Sequence, residues 1–240
     1  MITKYPVTPT LVLSQRYTAD SIQMWRTAMR RGWDSVRASV GYARQLSVSC
    51  PLVYHESGPQ VAEALGVTLI SPPADWLPSL PFKYAMRDIR LCPASVARAN
   101  GGSVFIKPPT EKSFQARVYN PGELPGWVDQ LVLVSEPVEF VSEYRSFILD
   151  GVIRASSGYV GHNPDEDVPL DMLMFLRSVL DDPCINVPKA CVIDYGMIKD
   201  RGCAVVEINP AWGSGIYDCD PDDVLDVVSA ATIQSSSVGG

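Results

Sequence analysis

Glu207 and Asn209 place a carboxylate and a carboxamide two positions apart at the end of the apolar run CAVVEINP. Because side chains alternate along a strand, both should lie on one face. A second apolar run carries Asp194, and the turn signal DRG at 200–202 predicts a β-hairpin that brings Asp194 close to Glu207. Mg²⁺ prefers oxygen ligands in proteins. The sequence therefore predicts a magnesium site formed by Asp194, Glu207 and Asn209.

The alternative for Glu207 and Asn209 is exposure to solvent on the outer side of the hairpin. Their flanking residues oppose it, because these are apolar and should be partly buried, where a charge needs a partner. The glycine-rich turn 213–215 also opposes it, since such a turn allows the backbone to approach a ligand closely.

An upstream lysine is the third feature that favours a site. Lys107 ends the apolar segment GSVFIKPP, and Pro108 and Pro109 stiffen the loop that follows. A lysine in this position can meet a phosphate as a point charge. Neither K-P nor E-x-N is specific alone, but together with the hairpin they form a pattern that indicates a phosphate and metal site.

The composition disfavours several other classes of protein. A hydrophobic content of 46% in 240 residues indicates a soluble globular protein with a packed core. The net charge of −7 disfavours nucleic-acid binding, and no apolar run approaches the length of a membrane span. The N-terminus lacks the pattern of a signal peptide, so we expect a cytoplasmic protein. Six scattered cysteines favour reduced thiols over a metal site.

The elements that must position these residues fall into two parts. Two strand-helix units open the chain, the second with a strand at Leu52–Tyr54, a helix at Pro59–Leu65 and a stop at Gly66, which together predict a partly parallel sheet. A proline-rich segment follows, and beyond it lie short β-rich runs with one helix. We predict an α/β domain over residues 1–80, an α+β domain over 81–228 and a flexible tail over 229–240.

Four segments, in this order, resemble the ATP-grasp superfamily: VFIKPP, VSEPVEFVSEYRSFILDG, VIDYGMIKD and VVEINPAWGSGIYDCD. The resemblance runs from about Pro81 to Pro221, and is strongest to a compact clade in which an arginine of the fold is thought to be replaced by lysine. It implies an α+β ATP-grasp fold, with two α+β lobes that grip the nucleotide. The N-terminal part resembles the small α/β pre-ATP-grasp domain that precedes this module.

The resemblance implies a set of nucleotide-binding residues. Those expected to meet the phosphates are Lys107, Lys83 with Arg87 as its competitor, and Lys112 with Ser113 in place of a longer glycine-rich loop. Those expected around the nucleoside are the hinge residues Ser135, Glu136 and Val138, whose backbone would read the adenine edge, and Glu143, which would hold the ribose hydroxyls.

The resemblance also implies the residues that act on the reacting groups. Asp194, Glu207 and Asn209 would hold Mg²⁺. Arg145 would lie beside the triphosphate or an acyl-phosphate. Lys199 is the candidate for the lysine that replaces the missing arginine, and it or Arg145 could stabilise the tetrahedral intermediate.

The activity implied is an ATP- and Mg²⁺-dependent ligation, in which a carboxylate is joined to an amine through an acyl-phosphate. Both substrates could be small molecules or peptides, and a homodimer is left open. Two alternatives remain: a non-catalytic ATP-binding module, and a kinase-like phosphotransferase. The presence of Lys107, Asp194, Glu207 and Asn209 opposes the first, because a degenerate module should have lost some of them.

Overall fold

The computed structural model describes residues 8–110, 113–161 and 166–234. The N-terminal part contains a parallel sheet in the order β2-β1-β3. Its strands are β1 (Thr10–Leu13), β2 (Asp34–Arg37) and β3 (Pro51–Tyr54), and its helices are α1 (Ala19–Arg30), α2 (Val40–Ala43) and α3 (Gly58–Leu65). The predicted strand-helix units and the stop at Gly66 are confirmed, since Gly66 ends α3 with a φ of 69°.

The next part contains a four-stranded antiparallel sheet in the order β5-β8-β6-β7. Two short helices lead into it, α4 (Trp76–Ser79) and α5 (Phe82–Ala85). The sheet consists of β5 (Ile89–Pro93), β6 (Val104–Lys107), β7 (Arg117–Tyr119) and β8 (Leu131–Ser135), with α6 (Ala94–Arg98) between its first two strands. Lys107 is the last residue of β6, as the sequence predicted.

A second antiparallel sheet has the order β10-β9-β11-β12. Its strands are β9 (Phe140–Leu149), β10 (Val152–Val160), β11 (Ala190–Ile198) and β12 (Gly202–Asn209). Helix α7 (Leu170–Leu180) precedes β11, and a 3₁₀ turn (Ala211–Gly213) and α8 (Pro221–Ala230) follow β12. Along β11, Cys191, Ile193 and Tyr195 share a core with α7, whereas Ala190 and Val192 share the other core with α8.

This alternation explains the position of Asp194. Strand side chains point to opposite faces in turn, so Asp194 continues the face of Ala190 and Val192 rather than that of α7. It lies beside the chain segment that follows β12, where Arg145 Nη1 donates to the carbonyl of Gly215 at 3.0 Å. The sheet therefore presents Asp194 towards the side of the N-terminal part.

The predicted tail needs correction at residues 229–234. Residues 229 and 230 are the end of α8, and Thr232–Gln234 form a strand, β13, that pairs antiparallel with β4 (Val67–Leu69). The Thr232 hydroxyl also accepts a hydrogen bond from the Val53 amide at 3.1 Å. Small polar residues predicted fraying, but the buried side of β13 is held by the N-terminal part; residues 235–240 lie outside the described residues.

Trp212 joins the N-terminal part to the segment after β12. Its indole Nε1 donates to the carbonyl of Ile70 at 3.0 Å, and its carbonyl accepts from the His55 amide at 2.9 Å. Trp212 is therefore a buried packing residue. In the part of the chain described, no helix combines the length and apolar character required to cross a membrane.

Gly58→Ala is expected to lower the free energy of unfolding by about 1–3 kcal/mol, the usual cost of overpacking. A Cβ at Gly58 would lie 2.2 Å from Trp212 Cε3, and the indole cannot retreat without losing its bond to Ile70. Urea unfolding measures the change. Gly101→Ala is the control, because a Cβ there meets nothing within 4 Å; equal effects of the two substitutions would contradict the prediction.

Candidate functional site

A β-bulge places Glu207 on the same face as Asp194. In the pairing of β11 with β12, Asp194 lies opposite Glu207 and Tyr195 opposite Val205, so Val206 is the extra residue. Without the bulge Val205 and Glu207 would share a face, but Val205 packs in the core with α7. The prediction that Asp194 and Glu207 lie near each other on adjacent strands is confirmed.

Arg145 binds Asp194 through two parallel hydrogen bonds. Nε donates to Oδ1 at 2.8 Å and Nη2 to Oδ2 at 2.7 Å, and both residues are buried, with 8% and 1% of their surfaces exposed. Burial raises the pKa of Asp194 to about 6, although the bonds from Arg145 act in the opposite direction. Asp194 is therefore a carboxylate at neutral pH, with Arg145 as its counter-ion.

Lys107 and Asn209 bind the second carboxylate. The Lys107 ammonium donates to Glu207 Oε2, and the Asn209 amide nitrogen donates both to Glu207 Oε1 at 2.8 Å and to Asp194 Oδ2 at 3.1 Å. Burial alone would raise the pKa of Glu207, but Lys107, Asn209 and Arg145 lower it to about 2. One polar network thus connects β6 of the first antiparallel sheet with β9, β11 and β12 of the second.

The donor set of this network fits a hard divalent cation. Asp194 and Glu207 supply carboxylate oxygens, and a half-turn of the Asn209 carboxamide presents its oxygen in place of its nitrogen. Within residues 8–110, 113–161 and 166–234, no group of three or more His, Cys, Asp or Glu side chains is arranged to hold a metal ion. A cation bound here would therefore need Asn209 as its third protein ligand.

Two tyrosines form an aromatic wall beside Arg145. The ring of Tyr217 lies 4.8 Å from the guanidinium carbon, and the ring of Tyr159 stacks on Tyr217 with centroids 4.9 Å apart and planes inclined by 4°. The Tyr159 hydroxyl donates to Glu143 Oε2 at 2.6 Å. Our sequence interpretation missed both tyrosines. Tyr217 follows the glycine-rich turn closely, whereas no pattern in the sequence singles out Tyr159.

The N-terminal part reaches the same region. Asp20, in the first turn of α1, accepts a hydrogen bond from the Ile216 amide at 3.1 Å, and the Tyr54 hydroxyl donates to the carbonyl of Ser214 at 2.8 Å. A Cβ at Gly215 would lie 3.1 Å from Asp20 Oδ2 and 3.7 Å from Arg145 Nη1. The glycine-rich turn was expected to allow a close approach, and here it allows two side chains to approach the backbone.

The predicted hinge connects β8 to β9, and its carboxylate is already bound. Glu136 accepts two hydrogen bonds from Arg201, at 2.7 and 2.9 Å, and Arg201 also donates to the carbonyl of Met86 at 3.0 Å. Ser135 is the buried last residue of β8, and Val138 lies half-buried in the connection. Any contact of this segment with a nucleotide would therefore come from its backbone, as the resemblance implied.

Lys83 and Lys199 lie outside the polar network. The Lys83 ammonium binds Asp182 Oδ2 at 3.0 Å, at the end of α7. Lys199 is 58% exposed at the β11–β12 turn, where its ammonium binds Glu139 Oε2 at 3.3 Å. Five residues of strand separate it from Asp194, a distance of roughly 16 Å at the usual rise. The expectation that Lys199 acts beside the reacting groups needs correction on this geometry.

Two further residues differ from their expected place or fall outside the described chain. Arg87, the competitor of Lys83, is buried and donates to the carbonyls of Val205 and Val206 at 2.8 and 3.0 Å. Burial lowers its pKa to about 10. Its donors stabilise the bulged segment of β12 rather than facing a ligand. Lys112 lies outside the described residues.

Solved structures with this fold cover nearly the whole chain. They include the ATP-grasp ligase PsnB complexed with a minimal precursor, at 12% identity and a TM-score of 0.55, over 93% of this chain and 98% of that one. A D-alanine–D-alanine ligase from Bacillus anthracis matches at 11% identity and 0.54, over 93% and 97%. The D-cycloserine synthetase DcsG matches at 12% and 0.53, over 92% and 99%. These similarities establish the fold.

Sequence comparison gives the family. No curated protein matches the chain. The model of the ATP-grasp domain of the arginine-to-lysine clade, family 2, matches residues 84–227, which include Lys107, Glu143, Arg145 and the three oxygen donors on β11 and β12. The ATP-grasp fold expected from the four sequence segments is thereby confirmed, and this chain belongs to the second family of the arginine-to-lysine clade of ATP-grasp domains.

Proposed function

We propose that this protein is an ATP- and Mg²⁺-dependent ligase that joins a carboxylate to an amine through an acyl-phosphate. Family membership supports the reaction class. Similar structures contain the relevant ligands: PsnB was solved with Mg and ADP and with a precursor peptide and AMPPNP, and the D-alanine–D-alanine ligase with ATP. The substrates proposed for this chain are correspondingly a small-molecule or peptide carboxylate and amine.

The observation that carries the proposal is the continuous network from Lys107 through Glu207, Asn209 and Asp194 to Arg145. Phosphoryl transfer requires positive charge near the transferred group and oxygen donors for a cation, held in fixed positions. The network combines two cationic side chains with three oxygen donors, and it lies between two sheets. A solvated outer hairpin face would have no reason to bury such a set.

Each member of the network has a proposed role. Asp194, Glu207 and Asn209 hold Mg²⁺, which supplies charge neutralisation for the phosphates when bound. Lys107 exchanges its contact with Glu207 for a nucleotide phosphate. Arg145 holds Asp194 in place and adds positive charge beside the reacting carboxylate.

Residues around the nucleoside complete the proposal. The backbone of the hinge 135–138 reads the adenine edge, and Glu143 holds the ribose hydroxyls. Residues 1–80 act as the pre-ATP-grasp domain, supported by the contacts of Asp20 and Tyr54 with the turn that follows β12.

Calorimetry of ATP binding with and without Mg²⁺ tests the nucleotide site. We expect binding that depends on Mg²⁺ in the parent protein, and loss of that dependence in the double variant Glu207→Gln with Asn209→Ala. Glu63→Gln is the matched control, because Glu63 is an exposed residue on α3. A folded parent protein that binds no ATP would overturn the proposal.

A trapping assay then separates the three functions. With hydroxylamine as the amine, a ligase that activates a carboxylate yields a hydroxamate together with ADP, tested over a panel of amino acids and short peptides. A phosphotransferase releases ADP and forms a stable phosphorylated acceptor without hydroxamate. A binding module takes up ATP and releases no ADP under any condition.

A further inference from the structure

Two backbone irregularities bring the aromatic wall together. In the pairing of β9 with β10, Tyr144 lies opposite Gly158 and Glu143 opposite Val160, so Tyr159 is the extra residue of a β-bulge. Tyr217 has a φ of 49°, in the left-handed region that residues other than glycine seldom adopt. Such irregularities occur next to active sites, where they redirect side chains.

The wall reaches two residues of the proposed site, one at each of its ends. At one end Tyr159 donates to Glu143 at 2.6 Å, and at the other the ring of Tyr217 lies against Arg145 at 4.8 Å. Burial, with the charges of Asp194 and Glu143, raises the pKa of Tyr159, so its hydroxyl stays protonated and acts as a donor. Glu143 is thus oriented by a fixed hydrogen bond.

We infer that Tyr159 and Tyr217 are positioning residues for nucleotide binding, which hold Glu143 against the ribose and Arg145 against Asp194. This inference rests on the proposed function. The Tyr159 hydroxyl leaves Glu143 Oε1 available for a ribose hydroxyl, and the stacked Tyr217 ring prevents Tyr159 from rotating away. The wall therefore couples the ribose end of the site to its cationic end.

Discrimination between ATP and 2′,3′-dideoxy-ATP measures this role, since only ATP offers hydroxyls to Glu143. We expect the parent protein to prefer ATP in calorimetry with Mg²⁺. Tyr159→Phe, which keeps the ring and removes the donor, should reduce the ratio of the two dissociation constants by about tenfold, the factor expected for a hydrogen bond to a charged group. A change in general stability would weaken both nucleotides equally.

Tyr217 supplies the second arm. Tyr217→Leu removes the stack and should reduce the same ratio, whereas Tyr217→Phe, which keeps the ring, should restore it. Tyr42→Leu is the control, because Tyr42 is an exposed tyrosine on α2.

Each other outcome overturns the inference. If Tyr159→Phe and Tyr217→Leu keep the parent ratio, or if the parent protein binds both nucleotides equally, the inference fails while the proposed function stands. If the folded parent protein binds neither nucleotide, both fail.

Discussion

Replacing Arg145 by leucine is expected to lower the free energy of unfolding by about 3–5 kcal/mol, the cost of leaving a buried charge without its partner. Asp194 is 1% exposed, and the two bonds from Arg145 are its strongest compensation for lost hydration. For a chain of this size the loss corresponds to a fall in Tm of about 6–20 °C. Urea unfolding and differential scanning calorimetry measure both quantities.

The control for this substitution breaks a surface ion pair of the same chemistry. Arg177 binds Asp181 at 2.8 Å with both side chains more than half exposed, and Arg177→Leu should change stability by less than about 1 kcal/mol. The double variant Arg145→Leu with Asp194→Leu should be more stable than Arg145→Leu alone, because no charge remains buried. A double variant less stable than the single one would contradict this explanation.

The pH dependence of Arg145→Leu has a defined sign. Without Arg145, burial and Glu207 raise the pKa of Asp194 further above about 6. Between pH 6 and 8 the folded variant then binds a proton that the unfolded chain does not, so its stability falls as pH rises. In the parent protein the contribution of Asp194 levels off above about pH 6. A destabilisation equal at pH 6 and pH 8 would contradict the assignment.

Lys107→Met is expected to weaken ATP binding by about 30-fold or more, since removing one partner of a charged hydrogen bond costs about 2–5 kcal/mol. The same substitution should strengthen binding of Mg²⁺ alone. In the parent protein the ammonium of Lys107 occupies Glu207 Oε2, and it lowers the pKa of that carboxyl. Without Lys107 the oxygen becomes available to the cation. Calorimetry with ATP and with Mg²⁺ alone measures the two opposite changes.

Lys189→Met controls for the loss of one positive charge, because Lys189 is an exposed residue before β11. Both affinities should match those of the parent protein. A Lys107→Met variant in which ATP and Mg²⁺ both bind more weakly would show that Lys107 supports the fold of the site rather than competing for Glu207.

Local sequence patterns predicted much of the frame of this site. Gly66 ends its helix because glycine adopts positive φ without steric cost, and DRG at 200–202 joins β11 to β12 as the hairpin requires. Glu207 and Asn209 share a face through simple alternation. These features depend only on neighbours a few residues away, which the sequence displays directly.

Lys199 and Tyr159 show where that reasoning fails. Lys199 lies near Asp194 along the chain, but an extended strand carries it to the hairpin turn and to Glu139. Tyr159 follows an alternating strand whose bulge changes the face of its ring, and the bulge depends on pairing with β9. The position of each side chain is set by a partner strand that is distant in sequence.

The amino-acid sequence by itself determined the order of strands and helices, the oxygen donors and cations available, and the family to which the chain belongs. Only the tertiary structure decided which of these groups meet. Val206 shifts Glu207 onto the face of Asp194, and Tyr217 closes over Arg145, because both positions result from long-range pairing and packing. Hydrogen bonds and burial between remote segments select among faces that local periodicity leaves equivalent.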